Sequence, residues 1–299
     1  MKIGTMLPVG DADWPSGPPT WRDMTEIART VEAEGLDSIW VADHLFYEDP
    51  EGQRFGVHEA WTLLTGLAAV TERVELGPLV LCASFRDPGV TAKMAATLDM
   101  VSNGRLILGL GAGWHDPEYE AFGLPTDHRV GRFEEALEII IPLLRGERVT
   151  YAGKWHRTND AVLLPAPTRR IPILIAAKGP RMLELTGRWA DAWNTAWYGL
   201  PSDRLHASLA SIGAAVEAAG RPAESVVLTV GIDVIDLDQP GSGDANPRAL
   251  SGSVADLADA IRTYEGLGVG HLMVGLDPIT TRSVQRLAEA VALAGIRRG

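Results

Sequence analysis

A single cysteine, Cys82, stands in 299 residues, so no intrachain disulfide can form and no cysteine-built zinc site exists. Positive charge is also scarce: 27 Lys and Arg against 39 Asp and Glu leave a formal net charge of −12. With a pI near 5.0, the chain is repelled by polyanions, which argues against nucleic acid and anionic membrane surfaces as partners. No apolar run is long enough to span a bilayer. The opening Met1-Lys2-Ile3-Gly4-Thr5-Met6-Leu7-Pro8 reads as a strand and lacks the features of a signal peptide, so a cytoplasmic location is expected. The seven histidines contain neither a His-x-His pair nor a His-Glu-x-x-His helix, and no metal is expected. Neither a Gly-x-Ser-x-Gly elbow nor a Walker loop occurs.

What is present is ordinary globular material, 46% hydrophobic with mean hydropathy +0.03. Short apolar runs at 2–7, 38–42, 74–82, 105–111, 172–177, 191–196, 226–234 and 271–275 end in Gly, Pro, Asp or Asn. Such runs suit strands buried on both faces of a parallel sheet. Helical patterns fill the intervals at 20–34, 58–70, 90–102, 129–144, 180–188, 203–219, 254–267 and 280–297. Eight of each predict an α/β fold, a (β/α)8 TIM barrel spanning 1–299 as one domain, with insertion loops at the strand C-terminal face. The competing architecture is an open doubly wound sheet. Residues 145–170 contain a hairpin turning at Gly153, and 237–251 has the composition of a long loop.

In such a barrel the strand C-termini carry the chemistry. The first strand leads to Asp11 and Trp14, the second to Asp43-His44, and the third to Cys82-Ala83 and Arg86. After the fourth come Gly109, Gly111, Gly113 and Trp114-His115; after the fifth, Ala176-Ala177-Lys178-Gly179-Pro180-Arg181. The sixth supplies Asn194, Thr195, Trp197 and Tyr198, with Trp193 inside it. The glycine run strips side chains from a strand end, which would let a flat ligand or phosphate approach bare backbone. Alternatively, the glycines merely end a crowded strand. The run resembles a dinucleotide fingerprint only superficially, since Gly113 falls one residue early and no acidic strand end follows. Without metal or nucleophile, the chemistry is expected to belong to a bound organic cofactor.

Several stretches together carry a resemblance. They are Ala33-Glu34-Gly35-Leu36-Asp37-Ser38-Ile39-Trp40-Val41-Ala42-Asp43-His44, the Asp99-x-x-Ser102-x-Gly104-Arg105 core, Glu118-Tyr119-x-x-Phe122-Gly123, Gly179-Pro180-Arg181 and Ala190-Asp191-Ala192-Trp193-Asn194. In this order the chain resembles the luciferase-like monooxygenase superfamily, in particular its coenzyme F420-dependent oxidoreductase branch. The resemblance implies hydride transfer between F420 and a small-molecule substrate, with Asp43 and His44 beside the cofactor ring and His44 as acid/base. It also implies a non-prolyl cis peptide after the third strand, matched here to Cys82-Ala83, where the β-branched residue of several relatives is replaced by Ala83. The cofactor's phosphate tail is then expected at Gly111 and Gly113 and at the amides of Ala176, Ala177 and Gly179, with Lys178 or Arg181 adding charge before Pro180 opens a helix.

In the glucose-6-phosphate dehydrogenase relatives a glutamate and a tryptophan occupy the positions of Trp114 and Glu48, which counts against a sugar-phosphate reaction here. Trp14, Trp114, Trp193 and Trp197 suggest an apolar or aromatic-lined substrate pocket. The rival readings are an FMN-dependent monooxygenase using O2 and reduced flavin from a reductase, and a non-catalytic flavin-binding relative. Apolar residues Trp61, Leu63, Leu64, Leu67, Met94, Leu98 and Met100 suggest a homodimer seam, although the core of a monomer accounts for them equally.

Overall fold

Ser38–Val41 and Leu108–Gly111 are four-residue strands with every residue buried, the pattern of a sheet covered on both faces. The computed structural model describes residues 1–11, 17–236 and 247–296. Along the chain run β1 (Lys2–Met6), α1 (Trp21–Ala33), β2 (Ser38–Val41), a small hairpin β3 (Phe46–Glu48) and β4 (Arg54–Gly56), then α2 (Ala60–Val70). Next come β5 (Glu75–Pro78), β6 (Leu81–Cys82), α3 (Pro88–Val101), β7 (Leu108–Gly111), α4 (Asp116–Ala121) and α5 (Arg129–Leu144). A second hairpin, β8 (Val149–Ala152) and β9 (Arg157–Ala161), precedes β10 (Ile173–Ala176), α6 (Pro180–Trp189), β11 (Ala192–Tyr198) and α7 (Asp203–Ala218). The chain closes with β12 (Val227–Ile235), β13 (Leu250–Ser251), α8 (Val254–Gly266), β14 (His271–Asp277) and α9 (Thr281–Ala294).

Nine parallel strands lie on one path, β5-β2-β1-β14-β12-β11-β10-β7-β6. Its two ends, β5 and β6, are consecutive pieces of the third stave, and the Leu76–Leu106 bridge joins β5 to the segment entering β7. The result is a nearly closed barrel of eight staves with a helix after each. Hairpin β8–β9 turns at Gly153, as expected, and Glu135 of α5 accepts the amides of Lys154, Trp155 and His156 at 2.7–2.9 Å. Among the described residues no helix is long and apolar enough to cross a membrane. Residues 237–246 of the long loop and the end of the last predicted helix lie outside the described residues.

The third stave departs from the sequence reading, which ran it unbroken from 74 to 82. The ladder to β2 runs through Pro78 and ends with Leu79 N–H on Val41 O at 2.8 Å; pairing stops at Val80 before β6 resumes beside β7. The non-prolyl cis bond lies at Leu79-Val80 rather than at Cys82-Ala83, and a second one joins Ala196 and Trp197. The residue after the first bond is therefore the β-branched Val80.

The Asp99-x-x-Ser102-x-Gly104-Arg105 motif is architectural. The Arg105 guanidinium donates to Ser102 O, Thr71 Oγ1, Val74 O, Ala68 O and Thr71 O at 2.6–2.9 Å. It thus satisfies the carbonyls at the end of α2, where a cation also complements the helix dipole. Asp99 is held by Arg169 at 3.0 Å.

At the opposite, N-terminal floor of the barrel, Trp40 donates to Ser38 Oγ at 2.7 Å, and that hydroxyl lies 2.7 Å from Nε2 of buried His271. Burial pushes the His271 pKa down from 6.5 to about 3. The unfolded chain therefore takes up this proton first as pH falls, and the native state loses stability from about pH 6.5 downward through His271. Urea melts are expected to show this loss at up to about 1.4 kcal/mol per pH unit from this group. His271→Gln should reduce the slope; an unchanged acid limb would contradict the assignment.

Candidate active site

The rim is assembled from the ends of β2, β6, β7 and β10. Val80, half-buried, packs over β7: a Cβ on Gly111 would lie 2.7 Å from Val80 Cγ2, and one on Gly109 would lie 2.1 Å from Pro78 O. Gly113, at φ +81°, makes room for Tyr119, whose hydroxyl would sit 1.8 Å from an added Cβ. The three glycines thus face protein on the side where a Cβ would stand. The atoms they admit are Val80, Cys82 and Tyr119.

Cys82 Sγ lies 2.9 Å from the Tyr119 hydroxyl, which also lies 3.2 Å from Ala112 O. Burial pushes the Cys82 thiol up to about 11 and raises the Tyr119 phenol as well, so both stay protonated at neutral pH. Cys82 is a buried wall residue and Ala83 is buried beside it. Asp43 is committed to the same wall: it accepts Cys82 N–H at 2.8 Å and a two-pronged contact from Arg86 at 2.8 and 3.0 Å. Arg86 also pairs with Glu59.

His44 follows Asp43 and is partly exposed. Its Nδ1 lies 3.0 Å from Glu118 Oε1, while Leu45 N–H donates to Glu118 Oε2 at 2.8 Å. The rings of Tyr47, Trp114 and His115 meet the His44 ring edge-on, with centroids 5.7–6.3 Å away. Buried His115 stacks on Tyr47 at 5.0 Å and accepts Glu48 N–H at Nε2, 2.9 Å. Burial lowers its pKa below the ordinary histidine value, in keeping with a neutral ring accepting there.

The predicted tryptophans separate. Trp114 is 62% exposed over His44, and Trp197 is half-buried against Gly231. Trp193 is 1% exposed, its indole N–H on Ala177 O at 2.9 Å, so it is core and offers no surface to a substrate. Trp14 lies outside the described residues. At β10, Ala177 N–H is bound to Asn194 O at 3.3 Å, Ala176 is half-buried, and Lys178, Gly179 and Pro180 are exposed. Gly179 caps α6 without any side-chain hydrogen bond, and a Cβ there would meet nothing within 4 Å. Arg181 pairs with Glu134. Among the described residues no group of three or more His, Cys, Asp or Glu could hold a metal ion.

Glu118, Tyr119 and Val80 were not among the candidate site residues read from the sequence. The Glu118-Tyr119 dipeptide was visible as a motif, but its partners, 74 and 37 residues away, were not.

A parallel barrel with its polar groups at the strand C-termini is the layout of a (β/α)8 enzyme. Residues 1–240 match the luciferase-like monooxygenase family, and the chain belongs to it. It is similar to F420-dependent glucose-6-phosphate dehydrogenase of Amycolatopsis mediterranei (strain U-32), 33% identical over 71% of this chain and 64% of that one. It is also 36% identical to phthiodiolone/phenolphthiodiolone dimycocerosates ketoreductase of Mycobacterium tuberculosis (strain ATCC 25618 / H37Rv), over 70% of this chain and 59% of the relative. The matches thus span about 60% of these relatives' lengths. Coenzyme F420-dependent tetrahydromethanopterin reductase from Methanopyrus kandleri shares the fold, with a TM-score of 0.78, 20% identity and 98% coverage of both chains.

The two kinds of glycine can be told apart by substitution. Gly109→Ala is expected to lose about 1–3 kcal/mol in denaturant melts, because the new methyl meets the Pro78 carbonyl. Gly179→Ala, facing open space at φ −84°, should change stability by less than about 0.5 kcal/mol. Equal losses would contradict the packing described.

Proposed function

We propose that this chain is a coenzyme F420-dependent oxidoreductase that transfers a hydride between the cofactor and an apolar or aromatic small molecule. The observation that carries the reading is the rim itself. One face holds an imidazole whose Nδ1 is engaged and whose Nε2 has no partner among the described residues, a bulge capped by Val80, and a helix start at Gly179 without a side-chain cap. These groups fit a flat ring with an anionic tail. Val80 would support the ring. The open amides around Gly179 would receive the tail, with exposed Lys178 adding positive charge. F420 supplies two-electron hydride chemistry at a ring carbon when bound.

The protein's own part is positioning and proton handling. His44 turns Nδ1 to a carboxylate, which leaves Nε2 to take or give a proton at a substrate oxygen. Asp43 holds the backbone beside it through Cys82 N–H and Arg86. Trp114, lying exposed over His44, would give an apolar substrate its first surface and help exclude water. The similarity to the named glucose-6-phosphate dehydrogenase does not carry its substrate across, because Trp114 and Glu48 stand where the resemblance implies a glutamate and a tryptophan in that branch.

Titration of the purified protein with each cofactor tests the reading. F420 should bind at micromolar Kd and FMN should not; FMN binding without F420 binding would transfer the chain to the monooxygenase alternative. Gly179→Ala should weaken F420 while leaving stability unchanged. In an F420 turnover assay, His44→Ala should lower kcat by about 10²–10⁴-fold. Unchanged turnover would remove His44 from the mechanism.

A further inference from the structure

We infer that Glu118 is the positioning residue of the site, fixing the tautomer of His44 so that the proton of the neutral ring sits on Nδ1 and Nε2 faces the substrate space. The glutamate comes from α4 and is 1% exposed, yet both carboxylate oxygens are used. Oε2 takes the Leu45 N–H at 2.8 Å and Oε1 faces His44 Nδ1 at 3.0 Å. One side chain thereby sets both the backbone of the loop after β2 and the orientation of its ring.

A burial this complete is costly for a carboxylate unless its partners are donors. The alternative, a purely structural clip, exists elsewhere in the molecule. Glu135 spends its carboxylate on three backbone amides alone. Glu118 instead divides its oxygens between an amide and an imidazole. Glutamine, of the same shape, has one acceptor and one donor and could satisfy only one of these two donors. The chemistry therefore calls for the charged form at this position: it orients the ring and stabilises the imidazolium formed when Nε2 takes up a proton.

The catalytic part of this inference rests on His44 being the proton-handling group; the tautomer does not. Nitrogen-15 histidine NMR of the protein without added cofactor, with His44→Gln for assignment, reads the tautomer directly. The neutral His44 ring should carry its proton on Nδ1 in the wild type, and E118Q should shift the population to Nε2–H or to a mixture. In F420 turnover, E118Q should lower kcat by about 10²–10⁴-fold at unchanged substrate KM, and E118D should restore part of it. An Nε2–H ring in the wild type overturns the inference, whether or not any variant folds. So does a tautomer that E118Q leaves unaltered. A shifted tautomer with unchanged kcat overturns the catalytic role and separates this failure from that of F420 binding.

Discussion

The seating of Val80 on the bare backbone of Gly109 and Gly111 is the contact from which the barrel mouth is built. It lies at the break between β5 and β6, after which β6 pairs with β7 and brings Cys82 to the rim. Cys82 then does two things: its amide ties to Asp43, and its sulfur meets the Tyr119 hydroxyl. Tyr119 docks α4 under Gly113, and the next residue back along α4 is Glu118, which reaches His44. The imidazole thus owes its orientation to a chain of contacts that begins two strands away.

The mouth is a place where polar groups are buried in pairs. Asp43 has Arg86, Cys82 has Tyr119, Glu118 has His44 and Leu45, and His115 has the Glu48 amide. In low dielectric each such pair is firm when complete and expensive when broken, which holds the rim together in a chain whose single cysteine allows no intrachain disulfide. More open by contrast is the start of α6, where no side chain caps Gly179 and an added Cβ would meet nothing within 4 Å among the described residues. Held imidazole and open helix start are what the proposed cofactor would need, a fixed group beside its ring and free donors for its anionic chain.

Much of this was legible in the sequence. Doubly buried strands read as unbroken apolar runs, and residues 129–144 were assigned to the helix they form. The Asp43-His44 pair stood at a strand end, as its place after β2 confirms. Three features could not be read. The break at Leu79-Val80 lies inside a run, 74–82, that is apolar on either side of it, so the cis bond was placed three residues late. Glycines at 109, 111 and 113 announce close approach without saying what approaches; here it is Val80 and Tyr119. Glu118 was seen as part of a motif, yet its meaning depends on a contact with His44 that only the docking of α4 creates. Trp193 shows the same limit from the other side: its type suggests a pocket, and its burial inside the strand makes it core.

A crystal structure of the protein with F420 bound would test the central claim most directly. The account predicts the deazaflavin ring against Val80, with His44 Nε2 facing it or the substrate beside it, and the tail phosphate on the amides at Gly179. Cofactor density away from Val80, or a tail that leaves Gly179 untouched, would contradict it.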